Sequence, residues 1–206
     1  MPTRVEQREA TRRRLVETAV ELLIARGPAG TTTAEVQRAA GVSRGALLHH
    51  FPTREALLAA AVRALVERNE AAVGAAAASV GADVEPVERA IRVLRGAVVQ
   101  PAFAAELELW AAARTDAALR TVLRREERRA RRELERVVDA VFGPELAATA
   151  GYGTAAALTV QFMRGLAISD VLRGERRQTD RLVRDWAAVV RAILAGRPLH
   201  LHEGNP

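Results

Sequence analysis

The chain has 206 residues, 31 basic against 25 acidic side chains for a net charge of +6, an apolar share of 49%, an aromatic share of 3% and no cysteine. That length holds one or two domains with a substantial core, and the missing cysteine excludes a disulfide framework, a thiolate nucleophile and a thiolate metal site. No apolar run approaches the roughly 20 residues that span a bilayer, and the start, MPTRVEQREATRRR, lacks the apolar stretch of a signal peptide, so no membrane partner is expected and the expected location is the cytoplasm.

Alanine, leucine, valine, arginine and glutamate dominate, which points to an all-α protein of about nine helices. Every basic residue is arginine, and beside so much alanine this reads as a genomic composition bias. The positive balance suits a polyanionic partner. The first dozen residues are polar and aperiodic and read as a mobile arm. Leu15, Ala19, Leu22 and Leu23 recur at helical spacing within residues 11–26, and Gly27, Pro28 and Gly30 stop that helix. Thr32 and Glu35 stand at capping-box spacing and start a second helix, in which the Glu35 carboxylate reaches back to the cap. Gly41 suits the positive φ that ends a helix sharply, Val42 plugs the corner and Ser43 caps a third helix over residues 43–51.

Thr53 caps a long fourth helix carrying Leu57, Leu58, Ala61, Val62 and Leu65, whose alanine-rich tail leads to a soft boundary before Pro86. Pro86 fits the first turn of a fifth helix ending near Gln100. Residues 102–114 form a sixth, with Phe103, Leu107 and Trp110 on one stripe that describes either core or pocket wall. Residues 116–142 form an Arg-rich seventh helix with Leu119, Leu123, Ala130, Leu134, Val137 and Val141 inward. Its Glu127–Arg131, Arg129–Glu133 and Arg131–Glu135 spacings read as an ion-paired solvated face. Residues 148–173 and 179–195 form the last two helices.

Two short helices joined by a tight glycine turn make the unit that lays its second helix in the major groove. Thr32-Thr33, the Ala40-Gly41-Val42-Ser43 turn, Leu47, and His50-Phe51 followed by PTREAL resemble the DNA-binding domain of TetR-family transcriptional regulators over residues 11–65. The resemblance implies a helix-turn-helix domain with its arm at 1–56. It further implies an all-helical effector-binding and dimerisation domain at 57–206, whose last two helices pair in a homodimer. The partners implied are a palindromic double-stranded DNA operator and a small apolar or aromatic effector, most commonly acting to release a repressor.

Carried over position by position, the base-facing residues are Arg44, Gly45 and His49, and the phosphate contacts are Thr33, His50 and Arg54. Leu47 and Phe51 face inward. Leu48 stands where the family usually has a phosphate-binding tyrosine, and Ala46 where it has Ser or Thr. Ala34 takes a position that in some members carries a base-reading side chain. Arg4, Arg8, Arg12, Arg13 and Arg14 are available to compensate from the minor groove or backbone. The effector pocket is expected at Phe103, Leu107, Trp110, Phe162, Met163 and Leu166, with Glu106, Arg114 and Gln161 as polar anchors.

Neither catalyst nor cofactor is expected: the chain has no Gly-rich phosphate loop, no HExxH and no Gly-x-Ser-x-Gly. His49 and His50 point about 100° apart on a helix, so they make no metal pair, and His200 and His202 read as incidental on a polar tail. The competing reading is a sequence-indifferent architectural nucleic-acid-binding protein driven by arginine.

Overall fold

A computed structural model describes residues 3–172 and 176–196. Among the described residues the chain is all α-helix, in ten elements: α1 (Arg4–Arg26), α2 (Thr33–Ala40), α3 (Arg44–His50), α4 (Arg54–Ser79), α5 (Pro86–Val98), α6 (Pro101–Ala112), α7 (Ala117–Phe142), α8 (Pro144–Ala147), α9 (Tyr152–Asp170) and α10 (Arg176–Leu194). The helix beyond the nine expected is α8, a single turn entered through Gly143 at φ +84° with Pro144 in its first turn. No described helix is long and apolar enough to cross a membrane. His200 and His202 lie outside the described residues.

The expected mobile arm is instead helix. Glu6 N donates to Thr3 Oγ1 at 3.2 Å and Thr3 N to the Glu6 carboxylate at 2.6 Å, a closed capping box that starts α1 at Arg4. Residues 3–10 are all exposed and the first buried side chain of α1 is Leu15, so apolar periodicity begins about three turns after the helix does.

The chain divides into two compact units, Met1–Ala71 with Gln100–Glu133, and Ala72–Val99 with Leu134–Pro206. In the first, Leu15, Val20 and Leu23 of α1, Val36, Leu47, Phe51, Leu58 and Leu65, Leu109 of α6 and Leu119 of α7 share one buried cluster. The stripe of α6 differs from its expected register: Ala102, Ala105 and Leu109 are buried, while Phe103, Leu107 and Trp110 are half-buried. Alanines let two helix backbones approach closely, and the larger side chains then fall to the flank of the contact.

On α7, Leu119 and Leu123 are buried as expected, but the next inward position holds Glu126, only 3% exposed and bonded to Arg63 at 2.9 Å, with Arg129 at 3.6 Å. Leu134, expected inward, is 40% exposed. Further along α7, Val138 and Phe142 are the buried residues, and Ala130, Val137 and Val141 are half-buried. A straight helix drifts relative to any short repeat, and over seven turns the inward face moves to new residues.

In the second unit, Val87, Ile91, Val93 and Leu94 of α5 are buried, as are Ala155, Met163 and Leu166 of α9 and Ala187 and Val190 of α10. Pro86 opens α5, and the Glu85 carboxylate caps it by accepting from Val87 N at 3.0 Å and Glu88 N at 2.9 Å. Asp170 at the end of α9 accepts from Arg95 at 2.5 Å and from Thr179 at 2.9 Å, tying three helices through one carboxylate.

Candidate nucleic-acid interface

The helix-turn-helix is assembled by side-chain caps and one glycine. Thr31, buried, donates its hydroxyl to Gly27 O at 2.9 Å, and Thr32 Oγ1 accepts Glu35 N at 3.1 Å, which starts α2. The Glu35 carboxylate does not reach back. It bonds Arg38 at 2.6 Å and Arg26 at 3.2 Å, and the bond to Arg38, with that cation's charge, holds its pKa below the ordinary carboxylate range. Two guanidiniums outcompete one peptide N–H for the same oxygens.

At the other end of α2, Gly41 takes φ +64° and ψ +37°, the left-handed conformation that side chains with a Cβ rarely adopt. There Gly41 N bonds Arg38 O and Val42 N bonds Gln37 O, both at 3.3 Å, the paired closure of a Schellman motif. Ser43 Oγ then accepts Ala46 N at 3.1 Å and starts α3 two residues after the turn.

Within α3, Leu47 is 3% exposed and Phe51, just past the helix, is equally buried. Those two fix which side of the helix is free. Arg44, Gly45, Leu48 and His49 are exposed, at the i, i+1, i+4, i+5 spacing of one outward face, while Ala46 and His50 are half-buried at its edges. A Cβ built on Gly45 meets nothing closer than Ser43 Oγ at 3.9 Å, so packing inside the protein does not demand glycine there.

Thr33 is half-buried in the first turn of α2. Arg54 opens α4, and its Nη1 lies 3.4 Å from Asp116 Oδ2. The other oxygen of Asp116 accepts Leu119 N at 2.9 Å and caps α7. The backbone bond from Leu119 and the bond and charge of Arg54 lower the Asp116 pKa below its ordinary value. Sequence reading missed this partner, because 62 residues separate the two and no local signal links them.

Burial lowers the His50 pKa below the ordinary histidine value, and the nearby charges of His49, Arg8 and Arg12 add to that, against a smaller opposing effect of Glu9. Arg12 places its guanidinium carbon 5.4 Å above the Phe51 ring. The His49 and His50 rings meet edge to face at 5.4 Å, and no group of three metal-ligating side chains occurs among the described residues.

The six side chains expected to line an effector pocket fall three to each unit. Phe103, Leu107 and Trp110 share the half-buried flank of α6 in the first unit, beside Glu106, whose carboxylate accepts from Asn69 Nδ2 at 2.6 Å. Trp110 and Arg114 also border a groove of about 210 Å³ with Ala113, Arg120, Leu123, Arg124 and Glu127. In the second unit Met163 and Leu166 are buried core, and half-buried Phe162 stacks on Trp186 with ring centres 4.7 Å apart. Gln161 is exposed.

The model of the family described as "Bacterial regulatory proteins, tetR family" matches residues 15–61. The chain is 33% identical to the HTH-type transcriptional regulator CymR of Pseudomonas putida over 60% of its own length and 61% of that protein. It is 32% identical to an HTH-type transcriptional regulator of Mycobacterium bovis over 59% of its length and 62% of that relative. The match therefore spans less than two thirds of either relative. In fold it resembles the multidrug binding protein EbrR, crystallised with imidazole, at a TM-score of 0.61 and 23% identity, covering 98% of this chain and 99% of that one.

Proposed function

Since the chain belongs to the TetR family of bacterial transcriptional regulators, we propose that it is a ligand-responsive repressor that binds a palindromic operator as a homodimer and is released by a small apolar or aromatic effector. The observation that carries this reading is the outward face of α3. It presents Arg44, Gly45, Leu48 and His49 from a helix held by buried Leu47 and by a glycine turn in the left-handed region.

In this account residues 1–56 read DNA. Arg44 makes a two-pronged bond to guanine O6 and N7. Gly45, free of internal packing demands, lets the backbone come close to the groove floor, and His49 hydrogen-bonds a base or phosphate. Leu48 and Ala46 contribute apolar contact only. Thr33, His50 and Arg54 contact phosphates and set register without carrying sequence information.

Residues 57–206 sense the effector and dimerise. Half-buried Phe103, Leu107 and Trp110 in the first unit, and half-buried Phe162 in the second, supply apolar contact area, and EbrR's description as a multidrug binding protein supports a ligand-responsive role. α9 leaves Leu158 at 46% and Ile168 at 58% exposed, with exposed Gly165 between them on the same side. These exposed apolar residues, with exposed Gln161 between them, suit a second copy packing on α9 and α10. Effector binding then shifts the population toward dimers whose reading heads no longer match one DNA turn, about 34 Å.

The test is a competition between a selected duplex and random DNA at two salt concentrations. A regulator keeps its preference for the selected duplex at both, although total affinity falls with salt. Equal collapse on both duplexes would favour the sequence-indifferent architectural binder.

The depressed pKa of His50 adds a pH signature. Its ring is neutral in the free protein at neutral pH, and an approaching phosphate stabilises the charged form, so DNA binding takes up a proton. The dissociation constant is expected to improve as pH falls from about 7.5 toward 6, by up to about tenfold per half-site for each unit of pKa that the phosphate restores. His50→Gln flattens that dependence if the assignment is correct. In the free protein the sign reverses: a histidine kept neutral by folding supports stability above its ordinary pKa, and that support is lost as pH falls through the lowered value.

A further inference from the structure

The first two turns of α1 bury no side chain in the chain's own fold. Residues 3–10 are exposed, and the helix is held there by its capping box. Within this segment Arg4, Arg8 and Arg12 recur every fourth residue, which places them along one side of the helix about 6 Å apart. The position of that side is fixed by Arg12, whose guanidinium lies over the Phe51 ring just beyond α3, and by Arg8, whose charge acts on His50 together with that of Arg12. The stripe thus leads away from the end of the reading helix. Arg4 and Arg8 form no ion pair among the described residues, whereas many other arginines of the chain do.

Resting on the DNA-binding reading above, we propose that Arg4 and Arg8 are phosphate-contacting residues that extend the DNA footprint beyond the helix-turn-helix, with Arg12 anchoring the helix on Phe51. The occupant is the sugar-phosphate backbone next to the half-site. A folded helix cannot thread the minor groove as an extended arm does, and guanidiniums that neutralise phosphates add affinity without carrying sequence information. Of the carboxylates on this segment, Glu9 acts on His50 and Glu6 is held in the capping box. The stripe supplies backbone affinity on a chain whose reading helix has Leu48 and Ala46 in place of hydroxyl-bearing side chains. Arg13 and Arg14, also exposed, follow Arg12 on other sides of the helix and are assigned no contact.

The experiment compares the full chain with the double variants Arg4→Gln/Arg8→Gln and Arg13→Gln/Arg14→Gln, each removing two charges from an exposed helix. Dissociation constants are measured against salt on a selected duplex and on random DNA, with circular dichroism to confirm equal helix content. Loss of two phosphate contacts per chain, four per dimer, is expected to reduce the slope of log affinity against log salt by about 3 to 4 for Arg4→Gln/Arg8→Gln. Affinity for both DNAs falls together, so the preference between them is preserved. The Arg13→Gln/Arg14→Gln slope stays close to that of the parent. Equal slopes for the two double variants, or a parental slope for Arg4→Gln/Arg8→Gln, overturns the proposal while leaving the DNA reading intact. A parent chain with no preference at any salt overturns the DNA reading itself.

Discussion

Arg44→Ala is expected to cost the chain its sequence preference. A two-pronged arginine–guanine contact discriminates by about 1–3 kcal/mol, and a dimer on a palindrome makes it twice, so operator affinity falls by about 2–6 kcal/mol, or roughly 30-fold to more than 10⁴-fold. Binding to random DNA loses only one charge per chain and weakens far less. The fold is untouched, because Arg44 is exposed in the first turn of α3 and the Ser43 cap uses backbone of Ala46. Titrations of both duplexes by fluorescence anisotropy separate the outcomes. Parallel loss on the two DNAs would reduce Arg44 to a phosphate contact.

Leu47→Ala and Leu48→Ala, one residue apart, are expected to behave oppositely. Leu47 is 3% exposed in the cluster that holds Val36, Phe51 and Leu58, and truncating a buried leucine costs about 2–5 kcal/mol. Leu48 is 44% exposed on the outward face, and its truncation changes stability by no more than about 0.5 kcal/mol. Urea unfolding midpoints measure both. The Leu47 variant also loses DNA affinity, because a loosened α3 no longer presents its outward face in one orientation. Similar midpoints for the two variants would mean that α3 is oriented otherwise than the structure shows.

What could be read from the chain alone was governed by local chemistry. Thr32, Gly41 and Ser43 act within four residues of themselves, so the two helices and the turn between them were legible from spacing, as was the burial of Leu47 and Phe51. The same capping logic applies to Thr3 and Glu6, yet the start of α1 was missed because no apolar periodicity accompanies it before Leu15. Glu35 was read as the reciprocal half of a cap, and its carboxylate went instead to Arg26 and Arg38, a competition that depends on how α1 and α2 pack.

Periodicity gave the existence of α6 and α7 and the inward Leu119 and Leu123, and misplaced the inner face of α6 and of the later turns of α7. Ala102, Ala105 and Leu109 rather than the two rings form the buried face of α6, and Glu126 takes an inward position because Arg63 of α4 meets it. A buried carboxylate paired across helices has no signature in its own segment. The contact of Arg54 with Asp116 was hidden for the same reason. It makes one candidate phosphate-binding side chain share its charge with the cap of α7.

Whether α3 reads a defined sequence is decided by selecting bound duplexes from a random pool with the purified protein. The expected result is an enriched palindrome with half-sites about one helical turn apart, a guanine in each half-site whose importance disappears with Arg44→Ala, and an advantage over random DNA that persists as salt rises. A pool that stays random, with retention following salt alone, would contradict it.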